Sequence, residues 1–140
     1  MIVPDSSVLV AGFVVEHRFH DAAASAVANV RSGGRLVAHT MAETYSVLSA
    51  PGGAYRAEPG LVIDYLDELL ERSAPIQPRP NSYREALGLL AGAGQGGASV
   101  YDALIALAAR DAGATLISLD RRATPTYEQC GVVVKFLGDG

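Results

Sequence analysis

The sequence predicts a single α/β domain, residues 1–140, with a central, mainly parallel sheet flanked by helices. Short apolar segments rich in β-branched residues alternate with longer helical patterns, which is typical of strands joined by crossover helices. Hydrophobic residues make up 49% of the chain and charged residues 19%, so a sizeable core is expected and intrinsic disorder is excluded. The length of 140 residues fits one domain and is short for two.

Turn-forming residues divide the first fifty residues into short units. Gly33-Gly34 ends an Ala-rich helical pattern, because glycine favours the residues just past a helix. The segment that follows alternates weakly between apolar and polar residues, as a strand does. The predicted elements are a strand at Ile2–Val3, helices at Ser6–Phe13 and His20–Val30, a strand at Arg35–His39 and a helix at Met41–Ser49.

The clearest amphipathic pattern lies in the middle of the chain, where apolar residues from Leu61 to Leu70 recur at helical spacing. Another helix is predicted around Tyr83–Leu90. The segment Ser99–Asp111 has almost no polar face at its start, which predicts a buried helix. Apolar and β-branched residues at Thr115–Leu119 and Val132–Phe136 predict two more strands.

Composition excludes several classes of protein. The single cysteine, Cys130, excludes an internal disulfide and any site with several cysteine ligands. The longest apolar run, Val8–Val15, is far shorter than the roughly 20 residues of a membrane-spanning helix, and the start has no signal-peptide pattern. We therefore expect a cytoplasmic protein without membrane contact. The net charge of −4 argues against a basic protein that coats nucleic acid non-specifically.

Four acidic residues fall where the predicted elements begin or end. Asp5 follows the first strand, and Asp120 follows the strand that starts at Thr115. Glu43 is expected in the first turn of the helix after the second strand, and Asp102 in the first turn of the helix beginning at Ser99. Because ligands of open α/β sheets gather at the carboxyl ends of the strands, we expect the four acids to share one site.

Each acid also has a local interpretation as a helix or turn cap. Asp5 suits the N-cap of the helix that follows it, and Asp120 suits a cap of the next turn. The segments Thr40–Glu43 and Ser99–Asp102 both have the spacing of a capping box. The sequence leaves these structural interpretations open for each residue taken singly.

The set of four is harder to explain by capping alone. Asp102 opens a helix that otherwise reads as buried, and a buried carboxylate without a partner is costly. Several carboxylates at one sheet edge repel each other and raise each other's pKa, which a bound cation relieves. Oxygen-only ligand sets favour hard ions, so Mg²⁺ or Mn²⁺ is expected rather than Zn²⁺.

Four short motifs, in this order, resemble those of the PIN-domain ribonucleases. The segment Val3–Ala11, reading VPDSSVLVA, is similar to their first motif, and Glu43 matches their second acid. The segment Tyr101–Ala106, reading YDALIA, is similar to the third motif, and Ser118–Asp120, reading SLD, to the fourth. Nearly the whole chain is covered, and its size and architecture most resemble the VapC toxins of bacterial toxin–antitoxin pairs.

The resemblance implies a five-stranded parallel sheet and an endoribonuclease that depends on Mg²⁺ or Mn²⁺. The implied metal ligands are Asp5, Glu43, Asp102 and Asp120. By the same analogy Ser6 would position the attacking water, although it also suits a second helix-start residue. The implied partners are RNA, a small antitoxin protein of the VapB type and a second copy of the chain.

The charge distribution is compatible with an RNA substrate. The net charge of −4 becomes zero when the four acids are left out. Arg121 and Arg122 directly follow Asp120 and are candidates for phosphate contacts. Arg110 lies two turns beyond Asp102 on the same helix face, about 12 Å along the axis, and is a third candidate. Ordinary solvated surface is the alternative for all three.

Two other functions remain open at this point. A metal-dependent phosphatase would use Asp5 as its nucleophile, but Ser7 stands where such an enzyme has a second acid two residues later. A PIN-like module that only binds a partner protein is the non-enzymatic alternative. Such a module typically loses acids, whereas this chain has all four.

Overall fold

The computed structural model describes residues 1–138. Within this range the strands are β1 (Ile2–Pro4), β2 (Thr115–Ser118) and β3 (Val134–Phe136). The helices of the same range are α1 (Ser6–Phe13), α2 (His20–Arg31), α3 (Ala38–Ser49), α4 (Pro59–Leu69), α5 (Pro80–Gly92), α6 (Ser99–Asp111) and α7 (Thr124–Gln129).

The sheet is parallel, with β2 between β1 and β3. Val3 is paired with Leu116, and Leu116 with Val134. The predicted strand Arg35–His39 supplies only an isolated parallel bridge between Val37 and Ile76, because the chain turns into α3 immediately afterwards. Residues 1–138 therefore contain three strands and one bridge, and the expected five-stranded sheet is not confirmed.

Successive residues of β2 pack into helix layers on opposite faces of the sheet, as strand geometry requires. Leu116 lies in an apolar cluster with α5, α6 and α7. Ile117 lies in a second cluster with Val8 of α1 and Ala23 of α2. As predicted, α6 is buried along most of its length, from Ala103 to Ala109. The helices thus cover both faces and leave the carboxyl ends of β1 and β2 for a site.

Helix boundaries follow the predictions closely in some places and differ in others. Helices α1 and α6 have the predicted bounds. Helix α3 begins at Ala38 rather than Met41, so Glu43 lies in its second turn and not its first. Helix α7 was not predicted, although Pro125 near its start suits a first helical turn. Across residues 1–138, no helix combines the length and apolar character needed to cross a membrane.

Candidate active site

The four acids line one cavity of about 510 Å³ near the carboxyl ends of β1 and β2. Asp5 directly follows β1, and Asp120 lies two residues beyond β2. Glu43 reaches the cavity from the second turn of α3, and Asp102 reaches it from the first turn of α6. The structure therefore brings together the four acids, which the sequence predicted to share one site at the edge of the sheet.

Asp5 is the most deeply buried of the four, with 1% of its surface exposed. It caps α1, since its Oδ1 accepts a 3.2 Å hydrogen bond from the Val8 backbone and another from the Ser7 hydroxyl. Its Oδ2 accepts a 2.9 Å hydrogen bond from the Tyr127 hydroxyl. Burial raises the pKa of Asp5, and hydrogen bonds from Ser118, Ser7, Tyr127 and Val8 oppose that rise. The cap interpretation is confirmed for this residue, and it does not remove Asp5 from the cavity.

Glu43 and Asp102 are half-buried and lie in the field of other acids of the cavity. Burial, followed by the charges of Asp102, Asp5 and Asp120, raises the pKa of Glu43 to about 7. Burial also raises the pKa of Asp102 to about 6, with contributions from Asp120 and Asp5, while Arg122 lowers it. The two acids therefore carry the unfavourable interactions expected of carboxylates gathered without a cation.

The capping-box interpretations of Glu43 and Asp102 are wrong. The N-caps of α3 and α6 are Val37 and Ala98, and neither makes a side-chain capping hydrogen bond. Thr40 lies inside α3, and within the described part of the chain its buried hydroxyl has no hydrogen-bond partner. Asp102 still lies in the first turn of α6, where a negative charge interacts favourably with the helix dipole.

Asp120 is held by its neighbour in sequence, Arg122. The Arg122 backbone donates to Oδ1 at 3.0 Å, and its Nη2 donates to Oδ2 at 3.2 Å. The cap interpretation of Asp120 is thereby confirmed for this turn. Since the Arg122 side chain is 80% exposed, the ion pair is well solvated and of the kind that contributes little to stability.

Two of the residues that organise the site did not come from the sequence patterns. The Ser7 hydroxyl bridges two elements, because it donates to Asp5 and accepts a 2.8 Å hydrogen bond from the Leu119 backbone. A hydroxyl residue two positions after an acid is the local signal that points to such a bridge. Tyr127 lies on α7, which carries no apolar periodicity, so no sequence pattern pointed to its phenol. Ser6, the predicted residue, lines the same cavity.

The predicted arginines have different surroundings. Arg122 lines the cavity. Arg121 packs over the Phe136 ring at 3.9 Å from its centre. Arg110 pairs with Glu85 at 2.7 Å and with Asp111 at 2.9 Å.

Neither Arg121 nor Arg110 is among the described residues that line the cavity, whereas His17 and Arg18, which the sequence did not suggest, are. The cationic part of the rim therefore comes from the loop between α1 and α2 as well as from Arg122.

The chemistry of the donor set fits a hard divalent cation. Its four carboxylates are oxygen ligands of the kind that Mg²⁺ and Mn²⁺ prefer. Burial, and then the charges of neighbouring acids, raise the pKa values of Glu43 and Asp102, and a cation would relieve both effects. As the side chains stand in residues 1–138, no three acidic, histidine or cysteine groups are close enough to hold an ion. Binding would therefore require the carboxylates to draw closer together.

Comparison with known proteins agrees with the resemblance found in the sequence. A PIN domain family model matches residues 2–128. Ribonuclease VapC40 of Mycobacterium tuberculosis is 40% identical over 137 residues, which are 98% of this chain and 99% of that protein. Ribonuclease VapC27 of the same species is 37% identical over 131 residues, 93% of this chain and 92% of that protein.

A solved structure supports the fold independently of sequence. The crystal structure of FitAcB from Neisseria gonorrhoeae matches with a TM-score of 0.66 at 18% identity, covering 96% of both chains. At this identity the likeness concerns the fold alone. The matches in sequence and in fold agree over nearly the full length, and the chain belongs to the PIN-domain family, among its VapC-type members.

Proposed function

We propose that this protein is a divalent-metal-dependent endoribonuclease, the toxin of a toxin–antitoxin pair. The observation that carries the proposal is the convergence of Asp5, Glu43, Asp102 and Asp120 on one cavity of a PIN domain. Both VapC relatives are named ribonucleases, which supports RNA as the substrate.

The four carboxylates are proposed to hold Mg²⁺ or Mn²⁺. When bound, such an ion lowers the pKa of a water for attack on a phosphodiester and neutralises charge that develops on the phosphate. This chemistry does not use the ribose 2′-hydroxyl, so the expected product carries a 5′-phosphate. Within the protein, Asp5 is fixed by its hydrogen bonds, and Ser6 is proposed to position the attacking water.

Arginines at the rim are proposed to bind the RNA backbone. Arg122 and Arg18 both line the cavity, and guanidinium groups suit phosphate oxygens. Arg122 forms a solvated ion pair with Asp120, and a phosphate would replace that carboxylate. Arg121 would support it from the same turn, and Arg110 would need to leave Glu85 before it reached a substrate.

The proposed protein partners are a small antitoxin of the VapB type and a second copy of the chain. The cavity combines acidic residues with apolar rim residues, Val47 and Tyr55, both of which are exposed. An inhibitory segment with a basic side chain flanked by apolar residues suits this combination.

The test is RNA cleavage by purified protein with Mg²⁺, Mn²⁺ or EDTA, followed by identification of the new 5′ ends. Asp5→Asn and Asp102→Asn are expected to lower cleavage at least about 100-fold, as loss of a metal ligand does. Asp120→Asn is expected to do less, since Asp120 is already paired with Arg122. Asp67→Asn, an exposed acid on α4, is the matched control.

The same experiment distinguishes the alternatives. A protein that folds and binds Mn²⁺ but cleaves no RNA would favour the non-enzymatic module. Hydrolysis of a phosphomonoester without RNA cleavage would favour the phosphatase. Equal cleavage by wild type and Asp102→Asn would refute the assignment of the site.

A further inference from the structure

Tyr127 connects the acidic cavity to an element with no other assigned role. It lies on α7, and only 2% of its surface is exposed. Its ring is part of the apolar cluster that joins α7 to α5 and α6. Its hydroxyl donates a 2.9 Å hydrogen bond to Oδ2 of Asp5, 122 residues away in sequence.

The donors around Asp5 come from different parts of the fold. Ser7 and Val8 both bind Oδ1, and both belong to α1, the helix that Asp5 caps. Both of these contacts hold the same oxygen and come from the same helix. Tyr127 binds the other oxygen from α7, and Ser118 of β2 also hydrogen-bonds the carboxylate. Tyr127 thus holds Oδ2 from a helix distant in sequence from α1.

We propose that Tyr127 is a positioning residue, which holds the Asp5 carboxylate in the orientation that binds the divalent cation. The inference rests on the proposed function, since it takes Asp5 to be a metal ligand. Hydrogen-bond partners of ligating carboxylates typically change metal affinity 10- to 100-fold when removed. Tyr127→Phe removes only the hydroxyl and keeps the ring in its cluster.

A purely structural role is the competing explanation. A buried tyrosine hydroxyl needs a partner, and Asp5 provides one whether or not a metal binds. In that case Tyr127→Phe would lower the thermal stability of the metal-free protein and leave the affinity for metal unchanged. Metal affinity therefore separates the two roles, and stability alone does not.

The experiment is calorimetric titration of metal-free protein with Mn²⁺. We compare wild type, Tyr127→Phe, Asp5→Asn and the control Tyr83→Phe, which alters a half-exposed tyrosine on α5. The expected result is a Kd at least about tenfold weaker for Tyr127→Phe and unchanged for Tyr83→Phe. A Kd within twofold of wild type for Tyr127→Phe, with Asp5→Asn impaired, would overturn this role and leave the metal site intact.

Failure of the proposed function gives a different pattern. If wild type binds no Mn²⁺, or if Asp5→Asn binds it as well as wild type does, both the proposed metal site and the proposed role of Tyr127 are refuted. If Tyr127→Phe is too unstable to titrate, the rise in Tm caused by a fixed Mn²⁺ concentration replaces the Kd. A smaller rise than in wild type supports the proposal, and a full rise overturns it.

Discussion

At the residue scale, the charge on Asp102 opposes folding when no cation is bound. Its pKa is raised to about 6, chiefly by burial and then by Asp120 and Asp5, so its ionised form is disfavoured in the native state. Asp102→Asn removes that charge and nearly keeps the shape. We expect the metal-free variant to be more stable than wild type by about 1 kcal/mol, a value discounted for solvent screening at a half-exposed group.

Thermal melts in EDTA and in Mn²⁺ test this expectation. The variant should melt higher than wild type in EDTA and gain less from Mn²⁺, because a ligand stabilises only the state that binds it. If Asp102 served only the helix dipole, Asn would weaken a favourable interaction and the variant would melt lower. A lower Tm in EDTA together with a full Mn²⁺ shift would identify Asp102 as a helix-start residue and not a ligand.

The raised pKa of Glu43 predicts that the stability of the metal-free protein falls as pH rises. Its pKa is 4.5 ordinarily and about 7 in the native state, so between these values the folded protein binds more protons than the unfolded chain. Stability must therefore fall as pH rises through this window. We expect Tm in EDTA to fall less steeply in Glu43→Gln than in wild type.

The control for this pH series is Glu71→Gln, which changes an exposed glutamate outside the cavity. Its profile should follow that of wild type. Parallel profiles for wild type and Glu43→Gln would mean that neither burial nor the other acids destabilise the ionised Glu43 carboxylate.

Residue chemistry explains which parts of the site could be predicted. The four acids were predictable because each follows a strand or lies early in a helix, and those positions meet at one sheet edge. Ser7 and Tyr127 were not, because their roles depend on contacts between distant segments, Ser7 with Leu119 and Tyr127 with Asp5. Periodicity indicates which face of an element is buried, but it gives no information on contacts between distant segments.

At the element scale, α1 begins at a residue with two functions. Asp5 caps the helix through Val8 and also lines the acidic cavity. Two substitutions of Asp5 distinguish capping from the role in the cavity. Asn keeps a side-chain oxygen that can cap the helix, whereas Ala has none. We expect Asp5→Ala to be less stable than Asp5→Asn by about 1 kcal/mol, the usual contribution of an N-cap.

Urea unfolding in EDTA measures this difference, and both variants should lose the stabilisation by Mn²⁺. Because both lack the charge, their comparison isolates hydrogen bonding at Asp5 from the relief of repulsion. Equal stabilities would indicate that the cap contributes nothing measurable to this helix.

Elements with a continuous apolar pattern were the ones that the sequence predicted well. Helix α6 has its predicted bounds because Ala103–Ala109 are all buried and the apolar pattern is continuous. The segment Arg35–His39 shows the opposite case. Its weak alternation suited a strand, yet only Val37 pairs, with Ile76, and Ala38 starts a helix. Pairing depends on the distant partner segment, which local alternation does not report.

At the scale of the whole molecule, the four acids account for the entire net negative charge of −4. The rest of the chain is neutral in sum, so the excess of negative charge lies in the cavity. If the proposed function holds, expression of wild type in bacteria should arrest growth, whereas Asp102→Asn should not. Asp67→Asn serves as the control that should still arrest growth, and equal growth of all three strains would contradict the proposal.

The acidic cavity also makes a prediction about inhibition. A basic side chain of an antitoxin would neutralise the carboxylates in the same way as a cation, and the exposed Val47 and Tyr55 at the rim would contact its apolar neighbours. The antitoxin and the metal should therefore compete. We expect a co-expressed small partner protein to restore growth, and its affinity for the purified chain to fall with added Mn²⁺ and in Asp102→Asn. The measurement is a binding titration in EDTA and in millimolar Mn²⁺. An affinity that is the same in both, or unchanged in Asp102→Asn, would place the inhibitory contact away from the acids.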